Sequence, residues 1–130
     1  MTYFNAAVVA SSLLVWGSCT QLSPDHKLSL QVTNRAQDTI DFLIVSTANE
    51  QSKTANHSVP KEATVNTMLK FDQVDKTDGS YQIRYKFSNS ADTLVEKFGY
   101  YTNGYPLEKI LILNVYTDSI SVEGIPRGSY

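Results

Sequence analysis

The chain has 130 residues, eleven of them Lys or Arg and thirteen Asp or Glu, for a net charge of −2. That length holds one domain and an N-terminal extension, not two domains. Charges are spread along the chain with no basic stripe to collect phosphates, which argues against a nucleic-acid partner. Thr, Ser, Val, Ile and Tyr are prominent, and these suit pleated, half-buried surfaces better than helices. The single cysteine, Cys19, excludes an internal disulfide. A domain of roughly 110 residues holds together on its core without one.

The first element in chain order is the uncharged run "AAVVASSLLVWGS", residues 6–18. It is too short for a membrane-spanning helix, which needs about 20 apolar residues. It fits the apolar region of a signal peptide, roughly 7–15 residues. Two small residues, Gly17 and Ser18, stand directly before Cys19, where a signal peptidase tolerates little bulk.

An apolar residue, two small ones and a cysteine together resemble the lipobox of bacterial lipoprotein precursors. The resemblance implies cleavage before Cys19, a thiol joined to diacylglycerol and acylation of the new amino group. The membrane would then be the first partner, reached through the lipid on Cys19. Two acyl attachments anchor stably, since each buried methylene contributes about 0.8 kcal/mol. The likeness covers residues 6–19; Trp16 stands where the family usually has Leu or a similar aliphatic, and "MTYFN" supplies no Lys or Arg. The other reading of these residues is a core strand or helix, with Cys19 a small buried hydrophobe. The next stretch, "TQLSPDHK", reads as a polar tether rather than a continuing element. The expected organisation is a signal peptide over 1–18, a lipidated tether over 19–27 and a single domain over 28–130.

From Leu28 onward apolar and polar residues alternate. "LSLQV" sets Leu28, Leu30 and Val32 on one face, and "IDFLIVS" from Ile40 is more continuously apolar. "TVNTMLKF" aligns Val65, Thr67, Leu69 and Phe71, while "YQIRYKF" opposes Tyr81, Ile83, Tyr85 and Phe87 to Gln82, Arg84 and Lys86. "TLVEKF", "KILILNVY" and "SISVE" follow. These seven segments show period two and no convincing period near 3.6. Turn-tolerant stretches separate them: "NRAQD", "KTDG", "SNSAD", "YTNGYP" and "TDS". The pattern predicts an all-β fold, an antiparallel two-sheet sandwich of about seven strands. It resembles the immunoglobulin-like architecture without that family's inter-sheet disulfide. "KILILNVY", apolar on both faces, should be a central strand paired with "SISVE". Residues 48–63 make a long loop for a compact domain. Within it Ala55 and Val59, followed by Pro60, read as a short edge strand.

Residues that carry chemistry are scarce. The two histidines, His26 and His57, have no second His or Cys at ligand spacing, so no zinc site is expected. No glycine-rich phosphate loop is present. In "DQVDKTDG", an EF-hand reading with Gly79 as the sixth residue puts Val74 and Lys76 at two ligand positions. A turn at Asp78-Gly79 explains these residues better, an irregular calcium site at Asp72, Asp75 and Asp78 being the alternative. With no nucleophile–base pair or paired carboxylates, the expectation is a protein that is not an enzyme and uses no cofactor or metal.

Two patterns bear on recognition. "FGYYTNGYP", residues 98–106, sets Tyr100, Tyr101 and Tyr105 around Asn103-Gly104, aromatic faces and hydroxyls suited to a sugar or protein ligand. The competing reading is a turn whose rings cap the end of the sandwich, with Phe98 and at least one neighbouring tyrosine packed and Tyr105 more exposed than they are. The triplets "DTI", "DTL" and "DSI" resemble the O-glycosylation acceptor of exported proteins in some Gram-negative bacteria, which would place sugars on Thr39, Thr93 and Ser119. Equally, Asp-Ser/Thr can end a turn just before an aliphatic residue begins a strand. The sequence therefore reads as a small exported lipoprotein of the cell envelope, expected at the outer membrane. Its expected role is a non-enzymatic binding, accessory or structural module. The alternative is a soluble secreted carbohydrate- or protein-binding domain of inhibitor type.

Overall fold

The computed structural model describes residues 26–127, so the apolar run and Cys19 lie outside the described residues. Within them there is no helix. Nine strands follow in order: β1 (Lys27–Asn34), β2 (Ile40–Thr47), β3 (His57–Val59), β4 (Thr64–Lys70), β5 (Gly79–Phe87), β6 (Leu94–Thr102), β7 (Tyr105–Pro106), β8 (Glu108–Val115) and β9 (Ile120–Pro126). They form two sheets, one ordered β4-β1-β8-β9 and the other β3-β2-β5-β6-β7. All seven segments expected from the alternation are strands. Two further strands are short: β3, the edge strand expected just before Pro60, and the two-residue β7, which the alternation did not announce.

The alternation explains which faces are buried. Leu28, Leu30 and Val32 on β1 and Leu111, Leu113 and Val115 on β8 point inward from one sheet. Val45 on β2 and Tyr81, Ile83, Tyr85 and Phe87 on β5 meet them from the other, in one continuous core. β8 is central as its composition requires, and β9 returns beside it through the turn at residues 116–119, closed by Tyr116 N–H donating to the Ser119 carbonyl at 2.8 Å.

One expectation changes. The pairing is antiparallel except between β1 and β8, which run parallel, Ser29 against Ile110 through Asn34 against Val115. The cause is connectivity. The chain leaves β7 at the end of the sandwich where β1 begins and crosses directly into β8, so both strands start from that end. The immunoglobulin likeness is one of architecture, as expected, and the strand order is this chain's own. That arrangement divides its strands as ABED and CFG, so the first two share a sheet. Here β1 and β2 lie in opposite sheets.

The long loop is stitched to β2. Thr54 N–H donates to the Val45 carbonyl at 2.8 Å, and Val45 N–H donates to Thr54 Oγ1 at 3.1 Å. Thr47 N–H reaches the Ser52 carbonyl at 2.9 Å. The segment is thus an interrupted edge strand, its backbone groups met by β2 as burial demands.

The directions of the strands define two ends. The near end, where β1 begins, gathers residues 48–56, 71–78 and 102–107 and the end of β9. The far end gathers residues 35–39, 60–63, 88–93 and 116–119.

Candidate functional site

The tyrosine loop lies at the near end, and a bulge decides which ring faces where. Tyr81 pairs with Phe98 but Gly79 pairs with Tyr101, so Gly99 and Tyr100 together face a single residue of β5. Unbroken alternation from Phe98 would aim Tyr100 inward. The extra residue reverses the phase, with Gly99 taking the left-handed conformation (φ 54°) that this kind of bulge requires. Tyr101 is therefore buried, 1% exposed, while Tyr100 is 56% exposed. The Tyr101 ring packs in a cluster with Phe71 (centroids 5.4 Å apart) and Tyr81 (5.6 Å), and Phe98 completes it against Tyr81. A Cβ at Gly79 would collide with the Tyr101 hydroxyl. Of the three tyrosines expected at a ligand surface, Tyr101 is a core residue.

Tyr105 is half-buried, more exposed than the packed Phe98 and Tyr101 as expected, and two residues outside the strand pattern cover part of its ring. His26 meets its ring edge-on, centroids 5.6 Å apart at 81°. The guanidinium carbon of Arg127 sits 4.9 Å from the ring centre, a cation–π contact. Arg127 also donates from Nε to the Pro106 carbonyl at 3.2 Å and from Nη2 to the Lys27 carbonyl at 2.7 Å. Neither His26 nor Arg127 carries a sequence signal for this role, since each is an isolated polar residue beyond a strand end.

Beside these rings lies an open hollow of about 500 Å³, lined by His26, Phe71, Val74 and Tyr105 with Asp72, Lys76, Asn103 and Gly104. Its walls are held by specific bonds. Asn103 and Gly104 both have positive φ, 51° and 68°, the two-residue hairpin geometry favoured by Asn-Gly. Asn103 N–H donates to Asp78 Oδ1 at 2.9 Å, and Gly104 N–H donates to the Thr77 carbonyl at 2.8 Å. Gln51 fastens the neighbouring loop, donating from Nε2 to Asp75 Oδ2 at 2.7 Å and accepting from Asp75 N–H at 2.8 Å. Asp75 and Asp78 are thus engaged in holding loops. No group of three His, Cys, Asp or Glu side chains among the described residues could hold a metal ion. His57 is half-buried on β3 opposite Leu43, within the short edge strand expected there.

Burial perturbs the tyrosines of the core. The Tyr81 hydroxyl is held far above the ordinary phenol value, first by burial and then by the charge of Glu108. Tyr85 is raised by burial and by Glu96, and Tyr101 by burial, opposed by a hydrogen bond to Asn49. These shifts keep the phenols neutral and make them poor acids or nucleophiles.

The three candidate glycosylation triplets converge at the far end. Ile40, Leu94 and Ile120 are the first residues of β2, β6 and β9, all of which start there. Thr93 and Ser119 are exposed and Thr39 is half-buried. No helix among the described residues is long and apolar enough to cross a membrane. No protein-family model matches the chain, and no curated protein matches it in sequence.

Proposed function

We propose that this chain is a small exported lipoprotein of the cell envelope, anchored through Cys19, with a non-enzymatic binding or accessory role exercised through the near-end hollow. The observation that carries the reading is where the N-terminal segment joins the domain: His26 is itself a wall of the hollow. Cys19 precedes His26 by seven residues. Fully extended, that tether spans at most about 25 Å, so a lipid on Cys19 holds the hollow close to the membrane surface. The ligand this favours is an envelope component, a glycan or a protein lying near the lipid, rather than a freely diffusing solute. The aromatic wall of Tyr105 and His26 and the polar contributions of Asp72, Lys76 and Asn103 suit a sugar or an extended peptide. The far end, with Thr39, Thr93 and Ser119, then faces away from the membrane, where attached sugars would be accommodated.

Mass spectrometry of the N-terminus from the native host tests the anchor, the expected species beginning at Cys19 with acyl chains on sulfur and nitrogen. The substitution Cys19→Ser should move the protein out of the membrane fraction. A serine variant that is processed and membrane-bound like the parent would overturn the reading.

A further inference from the structure

The edges of the two sheets are protected unequally. β3 and β7 are three and two residues long, too short to template another strand. β6 carries several of the devices that blunt an edge: Glu96 on the inward-facing side opposite buried Ile83, Lys97 beside it, the bulge at Gly99 and β7 over its near end. β4, seven residues long with one charge, Lys70, shows solvent Thr64, Asn66 and Met68 but lies beside β3 along one flank. β9 differs in having no strand of the described residues along its outer flank and two exposed aliphatic side chains. It is seven residues long, regular in its pairing with β8 from Val115–Ile120 to Ile110–Ile125, and carries one charge, Glu123. Val122 is 40% and Ile125 41% exposed, and no strand of the described residues pairs with its outer side. A long, apolar, unpaired edge is a template for another strand.

We propose that β9 is where two copies of this chain join, antiparallel about a two-fold axis through Val122, so that the sheet β4-β1-β8-β9 continues into its counterpart. The occupant follows from self-complementarity. A two-fold antiparallel pair keeps every residue on its own face of the sheet. Centred on Val122, it sets the two exposed valines together, Ile120 against Gly124, and Ser121 against Glu123. The bulky side chain thus meets the residue without one, and the only charge meets a hydroxyl. Neighbouring registers are worse. A centre at Glu123 opposes two like charges. A centre at Gly124 brings Pro126, which has no N–H, opposite Val122. A centre at Ser121 pairs only residues 120–122. The reading is independent of the lipid anchor, since it uses the described strands alone.

The test uses the full chain carrying Cys19→Ser, in non-ionic detergent, so that an added cysteine is the only thiol. Directly opposed residues of an antiparallel pair have Cβ atoms about 4.5–5.5 Å apart, near disulfide range. Val122→Cys should therefore cross-link to its twin on mild oxidation at least tenfold faster than Val95→Cys, an exposed position (53%) on the protected β6 edge. Val122→Lys should convert the dimer to a monomer in analytical ultracentrifugation with its circular dichroism unchanged. The proposal is overturned if the Cys19→Ser chain is monomeric at 100 micromolar-scale loading, if Val122→Cys links no faster than Val95→Cys, or if Val122→Lys stays dimeric. A β9 edge that instead takes a strand from another protein would give the first of these results.

Discussion

Asn34 Nδ2 donates to the Val59 carbonyl at 2.9 Å, joining the end of β1 to the edge strand of the opposite sheet. The same amide donates to the Asp38 carbonyl at 2.8 Å, while Asn34 Oδ1 accepts from Ala36 N–H at 2.9 Å. Asn34 is fully buried, and its side chain holds the β1–β2 turn and β3 in one frame. Two of the three bonds, to the Val59 carbonyl and from Ala36 N–H, are buried, where polar groups need partners.

Asn34→Ala should therefore be among the most damaging polar substitutions in the domain. It strands two carbonyls and one amide, and a loss of about 3 kcal/mol is expected at roughly 1 kcal/mol or more for each. Urea denaturation checks this. A loss below about 1 kcal/mol would mean that the frame is held by the backbone alone.

Tyr81 supplies the opposite case. Its ring is buried among Phe71, Phe98 and Tyr101, yet its hydroxyl has no hydrogen-bond partner among the described residues. Tyr81→Phe keeps the ring and removes a desolvated polar atom, so it should be neutral or stabilising by about 1 kcal/mol. A thermal-melt midpoint lowered by several degrees would contradict this.

The same residue sets an alkaline limit. In the folded chain Tyr81, Tyr85 and Tyr101 are all raised above the ordinary 10.0, so above that pH the unfolded state loses protons that the native state keeps. Stability is complete below pH about 10 and falls as pH rises from there toward the raised folded values. Denaturation series between pH 8 and 11 should show a plateau and then a decline, and the decline should be shallower in Tyr81→Phe. Equal slopes in both proteins would exclude Tyr81 as a contributor.

The bulge at Gly99 predicts opposite outcomes for adjacent residues. Tyr101→Ala empties part of the aromatic cluster and should cost about 3–5 kcal/mol. Tyr100→Ala should stay within about 0.5 kcal/mol, since its ring has little burial to lose. Comparing the two midpoints in denaturant tests the phase of β6 directly.

Gly104→Ala combines two penalties. Its φ of 68° is a conformation that L side chains rarely adopt, and an added Cβ would sit 2.6 Å from the Asp75 carbonyl oxygen. A loss of roughly 1–3 kcal/mol is expected, with the tyrosine loop and residues 71–78 showing the earliest hydrogen exchange. A variant as stable as the parent would mean that these two loops move apart freely.

Strand identity was legible because period two is local. "YQIRYKF" declares its two faces within seven residues, and "KILILNVY" declares a central strand with a neighbour along each edge. Asn103-Gly104 declares its turn as plainly. The glycosylation-like triplets were legible as strand starts but not as neighbours, since which end a strand starts from depends on every crossing before it. The direction of β8 beside β1, the burial of Tyr101 in place of Tyr100, and the pairing of Tyr105 with His26 and Arg127 were not legible either. Each depends on partners distant in the chain, such as Lys27 and Arg127, which are 100 positions apart. Alternation along one strand therefore determined the class of fold and most of its core. The order of the sheets, the inserted residue that turns one tyrosine inward and the hollow beside its neighbour were decided only by tertiary structure. Backbone hydrogen bonds and packing must be satisfied across the whole sandwich at once, and no local stretch contains that constraint.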